Sequence, residues 1–260
     1  MPPARPAVWQ QMRREGQIET DTNQTGKVPS SPACDNLIAA LRPLLPHDPL
    51  LACSRKVSAN GVSDRRFLLT FPRAALSTPD DHRALAQAIG LPLPDALSRH
   101  WTRAEMIHLG LDAADTTGES LLKIYLEFAP ETTPEPGLAY LALKMGLQAR
   151  LNRYDWQQDP APLLAELDLP PDLERTARQI ADVAQNLRVS ETGSARLSLD
   201  MSLADLTPNP AYDGALAKLV AGVNPAAAPP MLWPSHVAIG RDRMGTAFVT
   251  LYGWPDGAMP

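Results

Sequence analysis

Cysteine is nearly absent. The chain of 260 residues carries two, Cys34 and Cys53, and neither belongs to a CxxC pair. Two cysteines without that spacing exclude a disulfide framework and the usual zinc and redox motifs. Long apolar runs are missing as well. None approaches the roughly 20 residues of a membrane-spanning helix, and the N-terminal MPPARPAVWQQMRREG lacks the apolar stretch of a secretory signal. There is no basic excess either: the formal net charge is -5. That argues against a nucleic-acid binder and still leaves room for a local basic pocket. The expectation is a cytoplasmic protein with neither nucleic acid nor membrane as partner. Compact motifs are also lacking. The chain holds no GxGxxG, no Walker loop, no GxSxG elbow and no HExxH, so no metal site is expected, and its Ser, His and Asp residues show no spacing that marks a triad.

Proline, by contrast, is plentiful, with 27 residues. Much of it falls between periodic segments, as in Pro43/Pro46/Pro49, Pro92/Pro94, Pro130/Pro134/Pro136 and Pro225/Pro229/Pro230. Proline neither donates to a strand ladder nor continues a helix interior, so these clusters read as joints. Residues 1–31 are polar and aperiodic and are expected as a loose tail ahead of a single domain over 32–260.

Between the joints the periods alternate. Helices are expected over 35–45 (with Asp35 as N-cap), 79–90, 161–168, 171–188 and 211–222. The long helix 171–188 is supported by a stripe of Leu173, Ala177, Ile180, Ala184 and Leu187. Strands are expected over 51–58 and 65–72 around Asn60-Gly61, over 104–112 and 120–129 around a turn at Asp115–Gly118, and over 138–145 with 149–156 as its return. Further strands fall at 195–203, 235–240 and 246–252. Hairpins alternating with helices, about five times over and with no sequence repeat, argue for an α+β fold of about ten antiparallel strands. Two architectures satisfy the pattern. One is a closed barrel with a polar interior and surrounding helices, which removes exposed edges. The other is an open sheet with helices on one face and water on the other.

The most informative stretch is Lys123-Ile124-Tyr125-Leu126-Glu127. Alternate side chains of a strand point to opposite faces. Lys123, Tyr125 and Glu127 therefore share one face, and Leu122, Ile124, Leu126 and Phe128 the other. The preceding strand sets His108, Gly110 and Asp112 against Ile107, Leu109 and Leu111. The full strand-borne polar set is Arg66, His108, Asp112, Lys123, Tyr125, Glu127, Tyr140, Lys144, Arg196, Asp200, His236 and Tyr252. Such a face is most often simply solvated, and isolated strand histidines are most often packing or surface groups. If the sheet curls, however, these groups converge. Arg66, Lys123, Lys144 and Arg196 then suit an anion with several oxygens, such as a diphosphate. Tyrosine faces attract cations through the ring quadrupole.

A Lys-x-Tyr strand (Lys123, Tyr125) following a Gly-Leu-Asp strand (Gly110-Leu111-Asp112) resembles the aromatic prenyltransferases of the ααββ, or ABBA, barrel type. The resemblance spans about residues 50–252, and the chain is closest in size to the cyanobactin-type peptide-modifying branch. It implies a barrel in which Arg66, Lys123, Lys144 and Arg196 hold an allylic diphosphate, dimethylallyl or geranyl. Tyr125, Tyr140 and Tyr252 would shield a carbocation, and Glu127 or Asp112 would take the acceptor proton. The acceptor would be a small aromatic or an aromatic side chain of a ribosomal peptide natural product. Magnesium could assist diphosphate departure, and no organic cofactor is implied. Two departures stand out: the later Lys-x-Tyr slot reads Arg196-Leu197-Ser198, and no Glu occupies the early strand at 51–58. The alternative reading is a non-catalytic α+β protein whose polar sheet face binds a ligand or partner.

Overall fold

Strands here are made by alternation and helices by proline starts. In the computed structural model, residues 31–76, 81–90, 93–112, 121–145, 149–203, 210–227 and 232–255 are described. Helix α1 (Pro32–Leu41) begins with Pro at its first position, where a missing N–H costs nothing. It therefore starts three residues earlier than expected, with Asp35 in its first turn rather than at its cap. Strands β1 (Leu50–Ser58) and β2 (Gly61–Pro72) follow. Then come helix α2 (Asp81–Ala88), the single turn α3 (Asp95–Ser98), β3 (Met106–Asp112), β4 (Leu121–Glu127), β5 (Leu138–Met145) and β6 (Arg150–Gln157). The second half runs α4 (Ala161–Leu167), α5 (Pro171–Ala181), β7 (Gln185–Glu191), β8 (Leu197–Ser202), α6 (Pro210–Val223), β9 (Leu232–Arg241) and β10 (Ala247–Pro255). The expected tail falls, but for Ser31, outside the described residues, as does the expected turn at Asp115–Gly118.

The ten strands form a closed antiparallel barrel in the order β1-β10-β9-β8-β7-β6-β5-β4-β3-β2. Closure decides between the two architectures the pattern left open. No helix among the described residues is long and apolar enough to cross a membrane.

One segment read as helix is a strand. The helix read over 171–188 ends at Ala181, and residues 185–191 are β7. The register explains the misreading. Asn186, Arg188 and Ser190 pair with Met201, Leu199 and Leu197 and so share the helix-covered face, while Leu187 and Val189 pair with Asp200 and Ser198 on the opposite one. The polarity of this strand is inverted relative to its neighbours. Its polar side chains are used by the helices: the Asn186 amide donates to the Ala181 and Ala184 carbonyls beyond the end of α5, and Arg188 makes a two-pronged pair with Glu166 of α4.

The chain divides into two compact units. One contains Pro29–Cys53 and Arg65–Asp155; the other contains Ser54–Asp64 and the chain from Trp156 onward. In the second unit, one core joins Leu163, Leu164 and Leu167 of α4, Leu173, Ala177 and Ile180 of α5 and Leu216, Leu219 and Val220 of α6 to Leu199, Met201, Val237, Ile239, Val249 and Leu251 of the sheet. In the first unit, Leu69, Ile107, Leu109, Ile124 and Leu126 are buried on the apolar face.

Candidate functional site

Strands β2 to β6 of the first unit carry the polar face, and their registers place its residues in rows. Gly110, Lys123, Lys144 and Arg150 form one row across β3-β4-β5-β6. The next row is Thr70, His108, Tyr125, Ala142 and Asn152 across β2 to β6. The third is Met106, Glu127, Tyr140 and Tyr154. Along the strands the face thus passes from cations, through aromatic and amide groups, to a carboxylate among tyrosines.

Much of this face is buried. Lys123 and His108 are each 4% exposed, and Arg66 and Lys144 each 8%. The common reading of such a strand, a solvated surface, fails here on burial. Lysines are almost never buried this deeply without a compensating partner, so each burial asks where the charge is answered. For Lys123 and Arg66 the answer is Asp112. The Lys123 ammonium donates to one carboxylate oxygen at 2.6 Å and the Arg66 Nε to the other at 2.9 Å. Burial by itself would raise the Asp112 pKa. The Arg66 and Lys123 charges and their hydrogen bonds outweigh that and hold it far below the usual carboxylate range. Lys144 lies directly opposite Lys123 in the ladder. Like charges in that position destabilise a sheet.

A second hydrogen-bonded chain crosses the middle of the face. The Thr70 Oγ1 lies 2.8 Å from Nδ1 of His108, and Nε2 of the same ring lies 2.9 Å from Oε2 of Glu127. Here four rings, His108, Tyr125, Tyr140 and Tyr154, pack together, three of the pairs edge to face and His108–Tyr140 tilted. The His108–Tyr125, His108–Tyr140, Tyr125–Tyr154 and Tyr140–Tyr154 centroids stand 6.3, 5.8, 5.9 and 5.7 Å apart. Gly110 makes room for this cluster, since a Cβ there would sit 3.2 Å from Cε2 of Tyr125 and 3.4 Å from Cβ of Lys123.

Of the residues expected at the site, Arg66, Asp112, Lys123, Tyr125, Glu127, Tyr140 and Lys144 all come together on this one face. Arg196 and Tyr252 belong to the second unit. There Arg196 and Lys56 each stand over the Phe248 ring, at 5.5 and 4.8 Å from its centroid. Tyr252 pairs with His236 across β9 and β10, ring edge against ring at 6.5 Å. Sequence reasoning passed over Thr70, Arg150, Asn152 and Tyr154. The last three alternate with Leu151, Arg153 and Asp155 along β6, which was the signal available.

No family model matches the chain, and no curated protein matches it either. Solved structures do. The complex of 5-dimethylallyl tryptophan synthase from Streptomyces coelicolor with DMASPP and Trp superposes with a TM-score of 0.57 at 12% identity, over 81% of this chain and 80% of that one. The ternary complex of the prenyltransferase PriB with L-tryptophan and dimethylallyl thiolodiphosphate gives 0.52 at 14% identity, over 81% and 83%. At such identities the likeness is one of fold: the closed ten-stranded antiparallel barrel with helices on its apolar face is the architecture of the ABBA-type prenyltransferases, and this chain has it.

Proposed function

We propose that the chain transfers an isoprenoid group from an allylic diphosphate to an electron-rich aromatic acceptor. The observation that carries the reading is the gradient on the buried face: Lys123, Lys144 and Arg150 in one row, beside the Arg66–Asp112 pair, then Tyr125, then Tyr140 and Tyr154 with Glu127. Ionisation of an allylic diphosphate leaves an anion at one end and a carbocation at the other, and it needs stabilisation of both where water is excluded. Arg66, Lys123 and Lys144 take the diphosphate. Tyr125 and Tyr140 face the cation, each for about 0.5–2 kcal/mol depending on desolvation. In the second unit, the same resemblance assigns Arg196 to diphosphate and Tyr252 to shielding.

The two acids divide the remaining work. A general base functions best with a pKa near the operating pH, and Asp112 is held far below that. Asp112 therefore positions Lys123 and Arg66, and Glu127 is the acid on which acceptor deprotonation depends. A magnesium site is not supported by the donors present. Among the described residues no group of three or more His, Cys, Asp or Glu could hold a metal, and both oxygens of Asp112 are engaged by cations. Here the buried lysines and arginine supply the positive charge. The neighbouring structures were solved with tryptophan, which makes an indole the first acceptor to try; aromatic side chains of a ribosomal peptide are the second. This reading keeps a cytoplasmic enzyme of natural-product biosynthesis.

The test is calorimetric binding of dimethylallyl and geranyl thiolodiphosphate, with and without magnesium, to wild type and Lys123→Ala. The expected result is saturable binding that the substitution weakens by about 1.5–3 kcal/mol, the range for a charge-assisted contact. No binding of either analogue under any of these conditions would refute prenyl transfer and leave the face as a site for some other ligand.

A further inference from the structure

The Thr70–His108–Glu127 chain is more than a satisfied buried histidine. Its two contacts, 2.8 and 2.9 Å long, join β2, β3 and β4. Thr70 and His108 are buried, and the Glu127 side chain is only 12% exposed. A neutral imidazole has one donor nitrogen and one acceptor nitrogen. Beside an ionised Glu127, Nε2 carries the hydrogen that it gives to Oε2. Nδ1 is then the ring's open lone pair, and the hydroxyl facing it donates. A hydroxyl, an imidazole and a carboxylate linked in that order form the arrangement in which a ring takes up a proton while an acid stabilises the resulting imidazolium.

We propose that these three residues form a proton relay, with His108 as the group that stores the proton released by the aromatic acceptor. The inference rests on the transferase reading and deepens it: Glu127 acts through His108 rather than alone. In the step, the acceptor carbon that has formed its new C–C bond loses its hydrogen as a proton to the Thr70 oxygen. The Thr70 hydroxyl proton moves to Nδ1 of His108, the electron pair of the broken C–H bond restores the aromatic ring, and nothing is oxidised or reduced. The imidazolium formed stands 2.9 Å from the Glu127 carboxylate, which supplies its counter-charge. The Tyr125 and Tyr140 rings cover the imidazole at 6.3 and 5.8 Å. On the same face of β2 to β4, the other charges are Lys123 in the cation row and, past it, Asp112 with its cross-strand partner Arg66. Glu127 is thus the carboxylate in contact with the ring. The early-strand Glu that the resemblance leads one to look for at 51–58 has no counterpart there, and this relay on β2–β4 supplies a proton acceptor by another route.

Two measurements separate this relay from the reading beneath it. The first needs no activity: nitrogen-15 NMR of histidine-labelled protein at neutral pH, wild type against Glu127→Gln, with His108 assigned by His108→Gln. The expected spectrum shows a neutral ring protonated on Nε2, and the Glu127→Gln spectrum shows that tautomer preference reduced. A ring protonated on Nδ1 with a bare Nε2, or a fixed imidazolium, overturns the relay. The second uses dimethylallyl diphosphate and tryptophan deuterated on its indole ring. Thr70→Val should lower kcat by about 100-fold, within the range for acid–base groups. It should leave KM for the diphosphate unchanged and unmask a primary isotope effect, while Thr70→Ser retains the wild-type rate. Wild-type turnover by Thr70→Val without an isotope effect overturns the relay. A wild type that binds neither thiolodiphosphate nor transfers to any acceptor overturns the transferase reading instead, and the NMR result then still decides whether the three residues are linked as proposed.

Discussion

Asp112→Asn is the substitution whose consequence can be worked furthest from the structure. The side chain keeps its shape and loses its charge. Two buried cations, Arg66 and Lys123, then lose the carboxylate that engages them at 2.9 and 2.6 Å. Removing one partner of a fully buried ion pair costs about 3–5 kcal/mol, because the remaining charge stays buried. The Asp112 side chain is 29% exposed, which places the expected cost at the low end, about 3 kcal/mol. In a chain of this size that corresponds to a fall of about 6–12 °C in Tm. The pH dependence has a definite sign. The native carboxyl is depressed below its unfolded value of about 3.9, so its stabilisation is fully present above that pH and is lost as pH falls toward the native value. Urea melts of both proteins from neutral pH to pH 3 should therefore diverge by about 3 kcal/mol at neutrality and converge on acidification. Adding Lys123→Met to Asp112→Asn removes one orphaned charge and should recover part of the loss. A variant within 0.5 kcal/mol of wild type at neutral pH, or a gap that widens as pH falls, would show that Asp112 does not neutralise this cluster.

Two further outcomes follow from the structure. Gly240→Ala would place a Cβ 2.3 Å from the Leu197 carbonyl oxygen and 2.5 Å from Cβ of Ser198. Overpacking against backbone that cannot retreat should cost about 3 kcal/mol or more, read by chemical denaturation, and a neutral substitution would show that β8 and β9 separate freely. Cys34 and Cys53 are buried, and burial pushes both thiols up to about 11, with Asp35 adding to the effect at Cys34. Both should resist a thiol-specific disulfide reagent at pH 8 in the native protein and react promptly in denaturant; fast native labelling would contradict their burial.

The sequence was legible where alternation and register agreed. Strands β3 and β4 pair His108 with Tyr125 and Gly110 with Lys123, so the polar sets that alternation drew on each strand share one face. Strand β5 has the bounds its alternation drew. What could not be read was anything fixed by a neighbour distant along the chain. His108 looked isolated because its hydroxyl partner lies 38 residues away and its carboxylate 19. The burial of Lys123 was equally hidden, since an open and a closed sheet share one alternation, and only the β1–β10 and β1–β2 neighbours close the ring.

Strand β7 shows why the inverse error occurred. Its apolar residues Leu187 and Val189 lie on the face where other strands are polar, and its Asn186 and Arg188 reach the helices. A rule that assigns polar side chains to one face and apolar ones to the other cannot find such a strand. The spacing of Ala184 and Leu187 after Ile180 instead continued the helix stripe past its end. The inversion also has a consequence for chemistry. Leu187 and Val189 put apolar groups beside Asp200 and Ser198 in the middle of the β7 part of that face, whereas β3 to β6 carry cations, aromatics and acid in consecutive rows. Transfer between a diphosphate and an aromatic ring requires charge at one place and apolar wall at another. An unequal distribution of the two among the strands is therefore what the proposed reaction demands, and a uniform alternation around the sheet would serve it less well.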